Sequence, residues 1–462
     1  MMKDVQLEKE RVKQDLYRLH YHLMPPLGSL ADPNGMCQIN DVYHIYYVHN
    51  PLACLTTKRT ACVWGHYSTQ DFIHFKEEEY AIMPDTKWDK DGVYSGSSLY
   101  ESGKLYVYYT GNVRYAGDYD YILDGREQNV MMTESQDATL FTDKRLVMTN
   151  QDFPDHMTKH VRDPQVFKED KYYMVLGARN RENQGLVLIY ESQDKVHWNY
   201  INQLTTSQKF GFMWECPDLI AFNQQYILIT CPQGVPHSRI YQNQHQCGYF
   251  EVKGNFRCES QLGPFELFDY GFDFYAARTF LTNKGERILV GWMGMSEAEY
   301  TQNQTYDNGW TQAIAMPRLL TYKNHHIYQS PITQMKDLRQ SHEVCDTTHD
   351  IYKNSLCFEL ILTNIHAQPI MIQFRQDCYL RYQDSTLSLD MGTCGDGRNI
   401  RYLDIDNLEK LHIFSDTSSL EIFINDGYYT MTTRIFSFND QLIIYHNKAN
   451  VDYYELGQYQ YI

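Results

Sequence analysis

Short apolar runs, each closed by polar or glycine residues, recur along the first two thirds of the 462-residue chain. Five of them are similar in length and in their content of tyrosine and aliphatic residues: VYHIYYVHN (42–50), LYVYYTGN (105–112), YYMVLGARN (172–180), YILITCPQG (226–234) and ILVGWMG (288–294). Runs of this length that end in turn residues are typical of β-strands. The pattern therefore predicts strands as the main elements of this region.

A similar stretch precedes each of these strands, with a polar or acidic residue, a strand-like run and a turn. Four copies read DPNGMCQIND, SGSSLYESGK, RDPQVFKEDK and ECPDLIAFNQQ, and a longer one reads DFYAARTFLTNKGER. Repeats spaced by one four-stranded unit predict a β-propeller, here with five blades. The innermost strands of a propeller face one channel, so the residues that begin them are expected to converge; they are Asp32, Ser95, Asp163, Glu215 and Asp273.

The pattern changes at about residue 345, where short alternating strands separated by turns predict a two-sheet β-sandwich. The first 20 residues have the pattern of a short amphipathic helix. We therefore expect an all-β protein with two domains: a five-bladed propeller with its N-terminal helix over residues 1–335, and a sandwich over residues 336–462. The sandwich carries no cluster of catalytic residue types, and we expect a structural role for it.

Charge and composition narrow the function. The formal net charge of −17 argues against nucleic acid as a partner, but a local basic pocket could still bind a phosphorylated small molecule. Eleven cysteines without a CxxC pair, a charged N-terminal stretch and the absence of a long apolar run predict a reduced, cytoplasmic protein with no membrane span. His20, His22, His325 and His326 lack metal-site spacing with other ligands, and we expect them to be surface or packing residues.

The carboxylates at the strand starts suggest glycoside cleavage, which uses one acid as nucleophile and a second as proton donor. Asp32 precedes a Pro-Asn-Gly turn whose backbone donors favour its ionised form, whereas Trp214 and Cys216 give Glu215 an apolar setting that favours a protonated acid. We therefore predict Asp32 as the nucleophile, Glu215 as the general acid/base and Asp163, next to Arg162, as a stabiliser of the cationic transition state.

Each of these acids also has a purely structural interpretation. Asp32 could be a turn residue, Asp163 could pair with Arg162, Glu215 could cap a turn, and Asp273 could bind backbone donors. Their shared position at the strand starts favours the functional interpretation. Three aromatic residues could stack on a sugar ring, although most aromatic residues in such a chain only pack; they are Trp64, Tyr94 and Trp310.

Seven ordered motifs resemble those of glycoside hydrolase family 32, over about residues 20–440. They are ADPNG (31–35), WGHYSTQDFIHF (64–75), SGSS (95–98), RDPQVF (162–167), ECPDL (215–219), DFYAARTF (273–280) and GWTQAIAMPR (309–318). The resemblance implies a propeller with a sandwich, and hydrolysis of β-fructofuranosyl bonds with retention, without metal or cofactor. It assigns the same three catalytic roles, and it implies that further residues hold the fructosyl unit: Asn34, Trp64, Tyr94, Ser95, Arg162, Asp273 and Trp310.

Two positions depart from the family pattern, which usually has Asn at Ala31 and Gln at Val48; both changes remove hydrogen-bonding groups and leave the substrate preference open. Within the family, an expected cytoplasmic location favours hydrolysis of sucrose 6-phosphate. The alternatives are a cytoplasmic invertase or fructosidase acting on sucrose or short fructans, a fructosyl transferase, and a sugar-binding propeller that has lost catalysis. The sequence does not identify residues that would bind a phosphate.

Overall fold

The computed structural model describes residues 2–142, 144–446 and 448–462. One α-helix, α1 (Met2–Lys13), precedes the sheets in this part of the chain, and it ends before the predicted limit at residue 20. Two short 3₁₀ helices, Thr333–Leu338 and Gly392–Gly395, occur later. All other regular elements of the described residues are β-strands.

Five antiparallel sheets follow one another along the chain and form the blades of the propeller. Blade one contains β1 (Gly28–Ile39), β2 (Val42–Asn50), β3 (Val63–Thr69) and β4 (His74–Glu77). Blade two contains β5 (Val93–Glu101), β6 (Lys104–Arg114), β7 (Arg126–Ser135) and β8 (Arg145–Met148). Blade three contains β9 (Met157–Lys168), β10 (Tyr172–Asn180), β11 (Gly185–Ser192) and β12 (Asn199–Leu204). Blade four contains β13 (Met213–Phe222), β14 (Gln225–Gln233), β15 (Gly248–Asn255) and β16 (Glu259–Leu267).

Blade five closes the ring. It contains β17 (Tyr275–Leu281), β18 (Arg287–Met293), β20 (Ala313–Ile314), β21 (Arg318–Lys323) and β22 (His326–Pro331). The two-residue strand β19 (Trp310–Thr311) leaves this blade and pairs in parallel with β1, with Gly28 opposite Trp310. Each of the five apolar runs found in the sequence forms the second strand of one blade.

The inner strand of each blade is an edge strand, because only its outer side is paired within the blade. An edge strand tolerates proline, which cannot donate a ladder hydrogen bond. Pro33, Pro164 and Pro217 accordingly lie in three of the inner strands, β1, β9 and β13. The motifs that look like turns in the sequence are thus irregular inner strands facing the channel.

The C-terminal region forms two six-stranded sheets, with the strand orders β23-β34-β25-β30-β31-β32 and β24-β33-β26-β27-β28-β29. The strands are β23 (Glu343–Cys345), β24 (Ile351–Asn354), β25 (Phe358–Thr363), β26 (Ile370–Phe374), β27 (Cys378–Gln383), β28 (Thr386–Asp390), β29 (Ile400–Asp404), β30 (Leu411–Asp416), β31 (Ser419–Ile424), β32 (Tyr429–Arg434), β33 (Gln441–Ile444) and β34 (Asn450–Glu455). A last strand, β35 (Gln460–Tyr461), returns to the propeller and pairs in parallel with β4. The predicted all-β architecture of a five-bladed propeller with a sandwich is confirmed.

Separate hydrophobic clusters lie between neighbouring blades, and another fills the space between the two sandwich sheets. The largest cluster joins blades one, four and five to the sandwich. This packing fixes the blades relative to one another and so fixes the channel that they surround. Across the described residues, no helix is long and apolar enough to cross a bilayer.

Candidate active site

A cavity of about 240 Å³ lies at one end of the central channel, where the inner strands begin. Its lining comes from blades one to four and includes five charged side chains; it consists of Asp32, Val48, Tyr94, Ser95, Arg126, Gln128, Arg162, Asp163 and Glu215. The three carboxylates predicted to be catalytic therefore share one small cavity although they are far apart in the sequence.

Irregularities in the inner strands aim these side chains into the cavity. The pairing register shifts in every inner strand, as it does between Glu215 and Asp218 in β13. In four blades the shift includes one residue with left-handed backbone: Gly35 (φ 48°), Asp163 (64°), Cys216 (48°) and Ala276 (50°). A β-bulge of this kind bends the strand and redirects neighbouring side chains. The carboxylates occupy three different positions relative to this residue, and not the single equivalent position that the sequence suggested.

The carboxylate of Asp32 is held from blades two and four. The hydroxyl of Ser95 donates to its Oδ2, and the thiol of Cys216 lies 3.7 Å from the same oxygen. Burial raises the pKa of Asp32 to about 6; the Ser95 hydrogen bond opposes this rise, and the charges of Asp163 and Glu215 add to it. The prediction that donors of the following turn keep Asp32 ionised is therefore wrong. The donor is the Ser95 hydroxyl, and burial raises the pKa of Asp32 more than this hydrogen bond lowers it.

Asp163 lies deeper in the site. Its Oδ2 accepts a hydrogen bond of 3.0 Å from the backbone N–H of Cys216 and lies 3.9 Å from Nε of Arg162. Burial raises the pKa of Asp163, and the nearby charge of Arg162 opposes the rise. Its own N–H donates to Thr110 Oγ1 at 2.8 Å, which anchors the strained backbone at this residue.

Glu215 has polar partners on both oxygens. Arg162 Nη2 donates to Oε1 at 2.5 Å, while Tyr275 Oη and Gln233 Nε2 donate to Oε2 at 2.8 and 2.9 Å. The flanking Trp214 is turned away and donates its indole N–H to the carbonyl of Phe210 at 2.7 Å. The predicted apolar setting of Glu215 is therefore wrong, because three donors orient the carboxylate.

Three further residues expected to touch the substrate are buried behind the cavity. Asn34 donates to the carbonyl of Asp32 at 2.9 Å and accepts from the N–H of Gly96 at 3.0 Å, so it ties two inner strands together. Trp64 donates its indole N–H to the carbonyl of Tyr94 at 3.0 Å. Trp310 donates to Asp15 Oδ2 at 2.5 Å, where the N-terminal segment meets the propeller. None of the three lines the described cavity, so their direct contact with substrate is not supported.

Asp273 is the clearest correction to the predicted site. Its side chain is fully buried, and Arg398 of the sandwich donates to both of its oxygens at 2.7 and 2.9 Å. The backbone N–H of Arg434 adds a third hydrogen bond of 2.8 Å. Asp273 thus joins the propeller to the sandwich, because its partner Arg398 belongs to the second domain and is 125 residues away in the sequence.

Sequence profiles match nearly all of this architecture. The profile of the glycosyl hydrolases family 32 N-terminal domain covers residues 22–331, and that of the family 32 C-terminal domain covers residues 375–459. The chain belongs to glycoside hydrolase family 32.

Named relatives agree with this family 32 membership. The sucrose-6-phosphate hydrolase of Bacillus subtilis is 32% identical over 453 residues, which cover 94% of this chain and 92% of that protein. The sucrose-6-phosphate hydrolase of Salmonella typhimurium is 35% identical over 443 residues, covering 92% and 90% of the two chains.

Solved structures show the same fold for this glycoside hydrolase. The sucrose-6-phosphate hydrolase of Lactobacillus gasseri superposes with a TM-score of 0.90 at 28% identity, covering 99% of this chain and 97% of that chain. The family 32 β-fructofuranosidase BmSUC1 of Bombyx mori superposes with a TM-score of 0.84 at 26% identity, covering 99% and 98%. The predicted family and the predicted glycosidase class are confirmed.

The site of this family 32 enzyme also contains residues that the sequence analysis did not single out. Arg126 and Gln128 reach the cavity from β7, the third strand of blade two, where the sequence GREQN carries no recognisable motif. Tyr275 was present in the quoted motif DFYAARTF, two residues after Asp273, and it is Tyr275 that contacts Glu215. Within the described residues, no group of three or more His, Cys, Asp or Glu side chains is arranged to hold a metal ion.

Proposed function

We propose that this enzyme is a retaining β-fructofuranosidase that hydrolyses sucrose 6-phosphate to fructose and glucose 6-phosphate, and sucrose more weakly. The names of the relatives support the reaction. A small cavity at one end of the channel, lined by three carboxylates, supports attack on a single terminal sugar unit, as opposed to cleavage inside a long polymer.

Asp32 is the proposed nucleophile. It attacks the anomeric carbon of the fructosyl unit while Glu215 donates a proton to the departing glycosidic oxygen, which releases the glucosyl part and leaves a fructosyl–Asp32 ester. Glu215, now ionised, then takes a proton from water, and the resulting hydroxide attacks the same carbon and frees fructose with the original configuration. Asp163 lies beside both groups, and its negative charge stabilises the positive charge that develops on the sugar.

An arginine cluster at the cavity carries the proposal that the substrate is phosphorylated. Arg126 lines the cavity, and its hydrogen-bond partners among the described residues are neutral: Asn112 Oδ1 at 3.2 Å and a nitrogen of His160 at 3.3 Å. Burial lowers its pKa to about 10, and the positive charges of Arg162, Arg114 and Arg59 contribute to that fall. Within the described residues, Arg59, Arg114 and Arg126 form no ion pair with a carboxylate, although the protein as a whole is strongly acidic.

Positive charges at this cluster also affect the pKa of His160. Burial, together with the charges of Arg162, Arg126 and Arg179, lowers the pKa of this histidine to about 2, so it stays neutral at physiological pH. Uncompensated guanidinium groups at a cavity mouth are suited to a phosphate dianion, which arginine binds through paired hydrogen bonds. Arg59 also lies 3.4 Å from the hydroxyl of Tyr94, which links the exposed end of the cluster to the cavity wall.

A comparison of two substrates tests the proposal. The wild-type enzyme is expected to show a higher kcat/KM on sucrose 6-phosphate than on sucrose. Arg59→Gln and Arg114→Gln should each raise KM for sucrose 6-phosphate by about tenfold, the loss of one charge-assisted hydrogen bond, and change KM for sucrose far less. Arg181→Gln is the control, because Arg181 is an exposed arginine whose side chain donates only to the carbonyl of Asp155.

Equal kcat/KM on both sugars, or an equal loss on both in the arginine variants, would contradict the phosphate assignment and favour an invertase or fructosidase acting on unphosphorylated sugars. The proposal also implies a cytoplasmic enzyme, because a phosphorylated sugar formed during import is available inside the cell. Eleven cysteines without a disulfide in the structure are compatible with that compartment.

A further inference from the structure

Arg278 lies on the propeller axis between two cavities. It belongs to β17, the inner strand of blade five, and its side chain is only 3% exposed. It lines a second cavity of about 500 Å³ in the lower part of the channel. Its guanidinium contacts the strands that carry Asp163 and Glu215, so it forms part of the floor beneath the catalytic cavity.

The two terminal nitrogens of Arg278 bind backbone carbonyls of the neighbouring blades. Nη2 donates to the carbonyl of Asp163 at 3.1 Å, and Nη1 donates to the carbonyl of Pro217. These carbonyls belong to the irregular turns in which Asp163 and Cys216 adopt left-handed backbone. Such conformations are unfavourable for residues other than glycine, and the surrounding structure must hold them. Arg278 therefore braces the two turns that aim Asp163 and Glu215 into the cavity.

The charge of Arg278 is not neutralised by a carboxylate partner in the part of the chain that the structure describes. Burial raises the pKa values of Asp32 and Asp163, and the positive charge of Arg278 opposes the rise at both groups. Among the described residues, the titratable and charged side chains that face Asp32 are Cys62, Tyr94, Arg126, Arg162, Asp163, Glu215, Cys216 and Arg278. Among these side chains, Arg278 is the cation that lies on the side of the lower cavity.

We propose that Arg278 is a positioning residue of the glycosidase reaction: it holds the turns that present Asp163 and Glu215 and supplies positive charge under Asp32. This inference rests on the proposed catalytic roles of those carboxylates. Arg278 does not line the catalytic cavity and so acts through the groups that it holds.

Three variants test the proposal. Arg278→Gln should lower kcat by about 10- to 100-fold with a smaller change in KM, because displaced carboxylates impair the transition state more than ground-state binding. It should also move the acid limb of kcat/KM to higher pH, since the opposing positive charge is lost. Arg278→Lys keeps the positive charge, so the acid limb should stay near that of wild type. Its single nitrogen cannot replace the two guanidinium nitrogens that bind the two carbonyls, so kcat should still fall.

Arg287→Gln is the matched control. Arg287 lines the same lower cavity. Its Nη1 donates a hydrogen bond of 3.0 Å to Thr279 Oγ1, which is not part of the turns that carry Asp163 and Glu215. This variant should keep both kcat and the pH profile. A wild-type kcat in Arg278→Gln would overturn the proposal, and so would a fall in kcat with an unchanged acid limb, which would indicate only a structural role.

If Arg278→Gln does not fold, Arg278→Met takes its place as an uncharged side chain of similar length: a lower kcat with an acid limb at higher pH supports the inference, and a wild-type kcat or an unmoved acid limb overturns it. Failure of the proposed catalytic roles themselves has a different signature. In that case Asp32→Asn would remain active whatever the Arg278 variants do.

Discussion

Blades one and five each place an aspartate three residues before the left-handed residue of the inner strand, Asp32 before Gly35 and Asp273 before Ala276. Asp32 faces an open cavity, accepts from a serine, and has a raised pKa. Asp273 is buried beneath the sandwich and accepts hydrogen bonds from two guanidinium nitrogens of Arg398, Nε and Nη2. The same position in the repeat thus holds a candidate catalytic residue in blade one and a residue that joins the two domains in blade five. The side chains that contact each aspartate from elsewhere in the chain account for this difference.

Replacing Asp32 should give the largest effect on catalysis. Asp32→Asn is expected to lower kcat by about 10⁴-fold or more, because no covalent intermediate can form without the carboxylate. Its melting temperature should not fall and should rise at neutral pH, since a raised pKa means that ionised Asp32 destabilises the folded state. Steady-state kinetics and thermal denaturation measure the two effects.

Asp218→Asn is the control for that variant. Asp218 is also a buried carboxylate on the channel, but it binds Thr279 and lines the lower cavity. It should keep kcat within a few-fold of wild type. Comparable losses in both variants would mean that general damage to the channel, and not a missing nucleophile, explains the result.

Replacing Asp273 should give the largest effect on stability. Asp273→Asn leaves Arg398 buried without its ion-pair partner, and the free energy of unfolding is expected to fall by about 3–5 kcal/mol. The double variant Asp273→Asn/Arg398→Met should be less destabilised than the sum of the single variants, which denaturant unfolding can measure. A stable Asp273→Asn enzyme with a raised KM would instead support the original expectation of substrate contact.

The pH dependence of activity should further distinguish the role of Asp32 from that of Asp273. Asp32 must be ionised to attack, and its pKa is raised to about 6, so kcat/KM should fall about tenfold per pH unit below that value. The pH profile of the initial rate at low substrate checks this. A rate that stays level well below pH 6 would show that burial does not control the ionisation of the nucleophile.

A smaller effect is expected at a second buried contact between the propeller and the sandwich. Burial alone would lower the pKa of His22, but the hydrogen bonds that it donates to Asp416 and Glu421 raise the pKa to about 9. A group with a raised pKa stabilises the fold below its unfolded value of 6.5, and this contribution is lost as the pH rises through about 9. The melting temperature of wild type should therefore fall more steeply over this range than that of His22→Gln. Parallel curves would contradict the charged state of His22.

The fold was largely predictable because the strand signal is local. The run 42–50 coincides with β2 and the run 172–180 with β10, since both are short, almost continuously buried segments closed by polar residues. Convergence of Asp32, Asp163 and Glu215 could also be expected, because the symmetry of a propeller brings inner strands together. The strand β35 could not be expected, since its pairing with β4 depends on where the sandwich ends in space.

The site was less predictable wherever a distant partner decides the role of a residue. Nothing near Asp273 in the sequence indicates Arg398, which lies in the other domain. Trp214 and Cys216 suggested an apolar setting for Glu215, but Arg162 and Tyr275 come from neighbouring blades and make the setting polar. Arg126 carries no motif at all, and only the geometry of blade two brings it to the cavity.

The most direct test is to locate the covalent intermediate. Glu215→Gln can be mixed with fructosyl fluoride, whose leaving group needs no proton donor, quenched with acid, digested and analysed by mass spectrometry. One fructosyl unit is expected on the peptide that contains Asp32, and none is expected on that peptide in Asp32→Asn/Glu215→Gln. A fructosyl unit on the peptide containing Asp163, or on the one containing Asp273, would contradict it.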